Sequence, residues 1–155
     1  MAKVKDYTTG KVLTNAKLSL LLLNFVKIPI IGFLIGRILL KGTGKYEPKL
    51  IDMEAASKLI QNSEKCAAGE RICRAIHPES EFTETVFLDE LAEGLMKAGK
   101  ARYMEKEEAI NTLKKYPDNP LILSKISGKY IELCRSSPGV CVYWNMERCG
   151  LRCLE

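Results

Sequence analysis

Two strongly apolar runs, 18–26 and 28–40, lie within the first fifty residues and are separated only by Lys27. Thr14 or Asn15 is placed to cap a helix entering the first run, and Pro29 either opens a second helix or kinks a single one. Residues 18–36 hold one charge in 19 positions, the nominal length of a membrane span. That charge is central, where a lysine costs roughly 2.5–3.5 kcal/mol on an insertion scale. Three readings stay open for 14–41: a kinked span, a helix pair lying on anionic lipid, or helices packed on this domain or a partner. Gly32 and Gly36 form a small-x-x-x-small pair that permits close helix approach. Residues 1–13 read as a flexible basic lead-in and 42–50 as a linker. Within that linker Gly42-Thr43-Gly44-Lys45 imitates part of a phosphate loop. Leu39 stands where the first glycine belongs and Tyr46 where Ser/Thr belongs, which removes the nucleotide reading.

Beyond the linker the pattern turns to short amphipathic helices in a domain over 51–155. One is expected over 52–62, with Met53, Ala56, Leu59 and Ile60 inward. A second is capped by Thr83 and runs to Ala98, with Phe87, Leu88, Leu91, Leu95 and Met96 as its stripe and Gly99 as its stop. A third spans 105–116, burying Ala109, Ile110 and Leu113, and Pro117 closes it. Leu121-Ile122-Leu123 begins an apolar stretch that suits helix or strand. Residues 130–134 and 140–144 form a hairpin across 135–139, or equally a helix–loop–helix. The expectation is a mainly α fold: a small helical domain with a cysteine-rich C-terminal region, at most one short β-hairpin, and an apolar N-terminal helical hairpin.

Charge sharpens this picture. Residues 1–50 carry nine Lys/Arg against Asp6 and Glu47, a net +7, whereas 51–155 carry fifteen against seventeen, a net −2. The basic character surrounds the apolar runs instead of covering a folded face with interleaved aromatics, so nucleic acid is not the expected partner. A membrane surface or a protein complex, reached through residues 14–41, fits better.

All six cysteines, Cys66, Cys73, Cys134, Cys141, Cys149 and Cys153, follow residue 65. The polar first ten residues, the absence of an Ala-x-Ala cleavage pattern after the apolar run and the absence of an Asn-x-Ser/Thr acceptor argue against export. The expected location is cytoplasmic, peripheral on the inner face of the membrane. In a reducing compartment clustered cysteines point to metal or redox chemistry. Cys66/Cys73 and Cys134/Cys141 share the spacing C-x6-C, and Cys149/Cys153 add C-x3-C. Lys65, Arg71, Arg74, Arg135, Arg148 and Arg152 lie close by in sequence, and cationic neighbours favour the thiolate that binds metal. Structural zinc prefers C-x2–4-C pairs, present only once. One [4Fe–4S] cluster is therefore the favoured cofactor, with zinc the alternative. Its simplest ligand set is Cys134, Cys141, Cys149 and Cys153, within 20 residues of one another. The competing set joins Cys66 and Cys73 to two of the late cysteines. His77 reads as a cap or surface residue, Tyr143 and Trp144 as core cover, and Glu81, Glu84, Asp89, Glu90 and Glu93 as a solvated acidic face.

The tail Tyr130-Ile131-Glu132-Leu133-Cys134-Arg135, with its late C-x3-C, resembles the cysteine-rich tail of the plastid β-carotene isomerase family, whose members are associated with iron. The resemblance covers only the tail, its spacings depart from that family's, and it implies iron without isomerase activity. More generally the chain is similar to small ferredoxin-like iron–sulfur proteins. The expected function is an iron–sulfur protein for electron transfer or redox sensing, serving a redox partner protein and associated with a membrane or complex. The alternative is a zinc- or disulfide-stabilised interaction subunit.

Overall fold

A computed structural model describes residues 1–79 and 84–155. The helices are α1 (Val4–Thr8), α2 (Lys11–Leu23), α3 (Ile31–Thr43), α4 (Met53–Asn62), α5 (Ile72–Ile76), α6 (Asp89–Lys97), α7 (Lys106–Lys114) and α8 (Val142–Arg148). The strands are β1 (Lys49–Ile51), β2 (Cys66–Glu70), β3 (Glu84–Leu88), β4 (Ala101–Tyr103), β5 (Leu121–Ile126) and β6 (Lys129–Arg135). They form one antiparallel sheet in the order β1-β5-β6-β3-β2-β4. The fold is therefore α/β, and the expectation of a mainly α domain is overturned by this six-stranded sheet.

The sheet escaped the sequence pattern because helices cover both of its faces. An open antiparallel sheet alternates apolar and polar residues, whereas a strand buried on both sides reads as a continuous run. In β3, Thr85, Val86, Phe87 and Leu88 are all buried, and in β5 so are Leu121 to Ser124 and Ile126. The helix expected from Thr83 to Ala98 is instead β3 followed by α6. Thr83, its proposed cap, lies outside the described residues, as does Glu81. Asp89 makes the break with a φ of 49°, while its carboxylate accepts from the backbone N–H of Glu64 at 2.7 Å. Leu91 and Leu95 of the expected stripe are buried on α6.

Residues 130–134 do lie in a hairpin, but with β5. Ser127 and Gly128 connect the two strands in two residues, both at positive φ (53° and 87°), the geometry that matches strand twist. Residues 142–148 are helix α8, so the hairpin expected between 130–134 and 140–144 does not form. By contrast α4 and α7 follow the expected 52–62 and 105–116, and Asp52 caps α4 by accepting from Ala55 N–H at 2.7 Å.

The register sorts the strands by face. Ile122 lies opposite Cys134, Ser124 opposite Glu132, and Phe87 opposite Glu132, which puts these side chains on one side of the sheet. Val86, Leu121, Leu123 and Leu133 point to the other side, into a core shared with α4, α6 and α7. Gly69 of β2 is required by close packing: a Cβ there would stand 2.7 Å from the Lys100 carbonyl oxygen and 2.8 Å from Phe87.

Residues 1–13, expected as a flexible lead-in, contain α1 and the start of α2, and Ala2, Tyr7 and Val12 are buried in the core. Helices α2 and α3 form a hairpin across residues 24–30, and a second core joins Leu23 and Leu39 to Met146 of α8. At 13 residues each, these helices are about 20 Å long, short of the ~30 Å hydrocarbon layer. Among the described residues no helix is long and apolar enough to cross a membrane. Gly32 and Gly36 pack within the chain, Gly32 on the Val26 backbone and Gly36 on Leu151.

Candidate functional site

A cavity of about 600 Å3 lies between the sheet face bearing Ser124, Glu132 and Cys134 and the helices α2, α3, α5 and α8. Three of the six cysteines reach it from three separate places. Cys73 comes from α5, Cys134 from β6, and Cys141 from the residue preceding α8. Arg71, just before α5, is buried beneath them at 1% exposure, and its Nε donates to Cys134 Sγ at 3.1 Å.

The electrostatics of the three thiols differ. Interaction between the Cys73 and Cys141 thiols holds the Cys73 pKa well above the ordinary thiol value and lowers that of Cys141. Backbone N–H groups of Trp144 and Tyr143 also favour the Cys141 thiolate, against the penalty of burial. Burial pushes Cys134 up to about 11, with the Arg71 charge working the other way. For Arg71 burial opposes the charge, and the adjacent cysteines outweigh it.

The remaining polar lining is a hydrogen-bonded set. Tyr7 donates to Glu132 Oε2 at 2.5 Å, and burial lifts the Glu132 carboxyl to about 7. Burial likewise raises Tyr143 well above the ordinary phenol range, with Ser124 working the other way. Sequence reasoning missed Tyr7, Ser124 and Glu132 as site residues. One signal was present: an acid two positions before Cys134 shares its face if the segment is a strand.

The other expected residues lie elsewhere. Cys66 begins β2 in the main core, its Sγ 3.3 Å from Ser63 Oγ. Cys149 and Cys153 pack in the second core beside Met146. Cys153 Sγ faces the Tyr143 carbonyl at 3.7 Å, and burial pushes its thiol up to about 12. The structure therefore joins Cys134 and Cys141 of the late set to Cys73 of the competing set. Among the described residues no group of three His, Cys, Asp or Glu side chains is gathered tightly enough to hold a single metal ion.

His77 meets Glu79 at 3.2 Å. Of the acidic face, Glu84 pairs with Arg102, Glu90 with Lys129, and Glu93 with Lys65 and Lys97. Arg135 donates to the backbone carbonyls of Leu113 and Asn119, and Arg148 to that of Pro138. Trp144 donates to Ser136 Oγ at 2.9 Å, while Tyr143 lines the cavity.

Outside the cavity, α2, α3 and their connection expose a broad apolar surface. Ile30, Phe33 and Ile38 are 82%, 68% and 63% accessible, and Leu21 and Leu34 are exposed beside them. No acidic residue occurs between Asp6 and Glu47, and Lys17, Lys27, Arg37 and Lys41 are exposed along the same segment. No family model matches the chain, and no curated protein or solved structure matches it.

Proposed function

We propose that this chain is an iron–sulfur protein for electron transfer or redox sensing, with a cluster held by Cys73, Cys134 and Cys141. The observation that carries the reading is the meeting of these three thiols at the buried Arg71. The donor set supplies three of the four thiolates that such a cluster usually takes, and a buried cation offsets the negative charge that they bring. A single zinc draws four ligands to one point, an arrangement that this set lacks, whereas a cluster spans several ångströms. When bound, the cluster supplies one-electron transfer. The chain's own residues then hold the thiolates and place the Arg71 charge against Cys134, and α2, α3 and α8 cover the cavity.

Helices α2 and α3 hold the protein to the inner face of an anionic membrane in this reading. Charge complementarity supports lipid as the occupant of the apolar surface: exposed hydrocarbon side chains are interspersed with cations over forty positions free of acids.

A second reading has its own observation, that Cys73 and Cys141 line the cavity together and shift each other's pKa in opposite directions. That pair can close to a disulfide, breaking two S–H bonds and passing two electrons and two protons to a redox partner. One experiment separates the readings. Protein purified without oxygen is expected to show a broad visible absorption band with bound iron and sulfide. Cys73→Ala, Cys134→Ala and Cys141→Ala should each remove it, and Cys66→Ala should not. Colourless protein that loses two alkylatable thiols on mild oxidation selects the dithiol, and stoichiometric zinc overturns both.

A further inference from the structure

The cavity changes character between its mouth and its floor. Val12, Asn15, Ser19 and Leu22 recur every three or four positions and form the α2 side of the wall. Leu18 and Ile38 also line the cavity, yet both are exposed, at 51% and 63%. They mark the apolar side of the mouth, whose rim also carries the exposed Lys11, Asn15, Lys41 and Lys45, and they belong to the same apolar surface as Leu21, Ile31 and Leu34. The cavity thus opens through the face that, on the reading above, lies against lipid. Its floor is the sheet, where Thr85, Ser124 and Glu132 present oxygen atoms, joined by the Tyr143 hydroxyl.

A polar metabolite would have to shed its water to pass between Leu18 and Ile38. A molecule already dissolved in hydrocarbon enters at no such cost. The floor offers hydroxyl groups that both donate and accept, which suits a carbonyl or hydroxyl head. A volume of about 600 Å3 is in the range of sites for small organic ligands and cofactors.

We infer that this cavity binds a neutral, membrane-soluble molecule of the quinone type, its oxygenated head on Ser124, Thr85 and Tyr143 and its apolar tail leaving between Leu18 and Ile38. The inference rests on the membrane docking of α2 and α3, and it concerns the same cavity that the three thiols of the cluster reading line.

The test uses the full chain, purified without oxygen and studied free of detergent and lipid. It is incubated with a fully substituted benzoquinone carrying a decyl tail and passed through a desalting column. Hexane then recovers any quinone held without a covalent bond. About one equivalent per chain is expected, with retention at least ~10-fold weaker for the same ring without its tail, since buried methylenes supply the binding. Ser19→Trp, which fills the wall from α2, should abolish retention, and Tyr143→Phe should weaken it several-fold while leaving the helix and sheet content unchanged. Equal retention of the tail-less ring, a preference for palmitate over the quinone, or unchanged retention in both variants would overturn the inference. Flotation with anionic vesicles is measured in parallel. Vesicle binding without quinone retention sinks the cavity assignment alone, and quinone retention without vesicle binding sinks the docking on which the membrane route depends.

Discussion

The hydroxyl of Tyr7 donates to Oε2 of Glu132 at 2.5 Å, joining α1 to the middle of β6 across 125 residues of chain. The bond secures the N-terminal segment over the cavity and gives a buried carboxyl one of its partners. Tyr7 also packs edge-on against Phe87, 6.3 Å between ring centroids, so that α1 is tied to the sheet by an aromatic contact as well.

Burial of Glu132 makes stability depend on pH. Its carboxyl is raised from 4.5 to about 7 in the folded protein, chiefly by desolvation, with the bonds from Tyr7 and Ser124 and the charge of Arg71 opposing. Below about pH 4.5 the group is neutral in both states and its contribution is fully present. Between there and pH 7 the folded chain keeps a proton that the unfolded chain releases, so stability falls as pH rises, by about 3 kcal/mol in total. Urea midpoints measured between pH 5 and 8 should decline, and Glu132→Gln should flatten the decline. A midpoint that rises through this window in the parent would show that Glu132 is not held in its neutral form.

Arg71 supplies the positive charge at the thiols, so Arg71→Met removes it while keeping much of the side-chain volume. Without the guanidinium, Cys134 loses the group that opposes its desolvation. Its thiol should then react more slowly with iodoacetamide at a fixed alkaline pH in metal-free protein. In cluster-loaded protein the midpoint potential should move to more negative values, because the reduced, more negative state loses a counter-charge. An unchanged alkylation rate would show that Arg71 serves packing alone.

Phe33 is 68% exposed on α3, with the Arg37 guanidinium 5.6 Å from its ring centroid. Phe33→Ser removes little buried area and should leave thermal unfolding unchanged. Flotation with anionic vesicles should weaken by about 1–2 kcal/mol, the contribution of one aromatic side chain entering hydrocarbon. Equal flotation of variant and parent would place the membrane contact elsewhere.

Gly69 sits where β2 passes under Phe87 and the Lys100 carbonyl. Gly69→Ala places a methyl group within 3 Å of both and should destabilise the protein by about 1–3 kcal/mol, read as a lower urea midpoint. No change would mean that β4 moves aside without cost.

Local physics was legible in the chain. Helix α4 was marked by its apolar period, α7 by its apolar period and Pro117, and the basic, apolar character of residues 14–41 by composition alone. The matched C-x6-C spacings of Cys66/Cys73 and Cys134/Cys141 were also legible, although they did not say which of the four would come together.

Tertiary structure decided the rest. Strands β3 and β5 are covered on both faces, which erased the two-residue alternation that would have announced them, and left Phe87 and Leu88 readable as part of a helical stripe. The partner of β6 was set by the two residues at positive φ, Ser127 and Gly128, and no apolar pattern records a turn. Which thiols meet follows from that pairing. With β6 held between β5 and β3, Cys134 lies on the cavity face, Arg71 reaches it from the start of α5, and Cys149 and Cys153 are drawn into a separate core with Leu23 and Leu39. Spacing along a chain limits which side chains can converge, but the strand order and the faces that the helices cover determine which of them do.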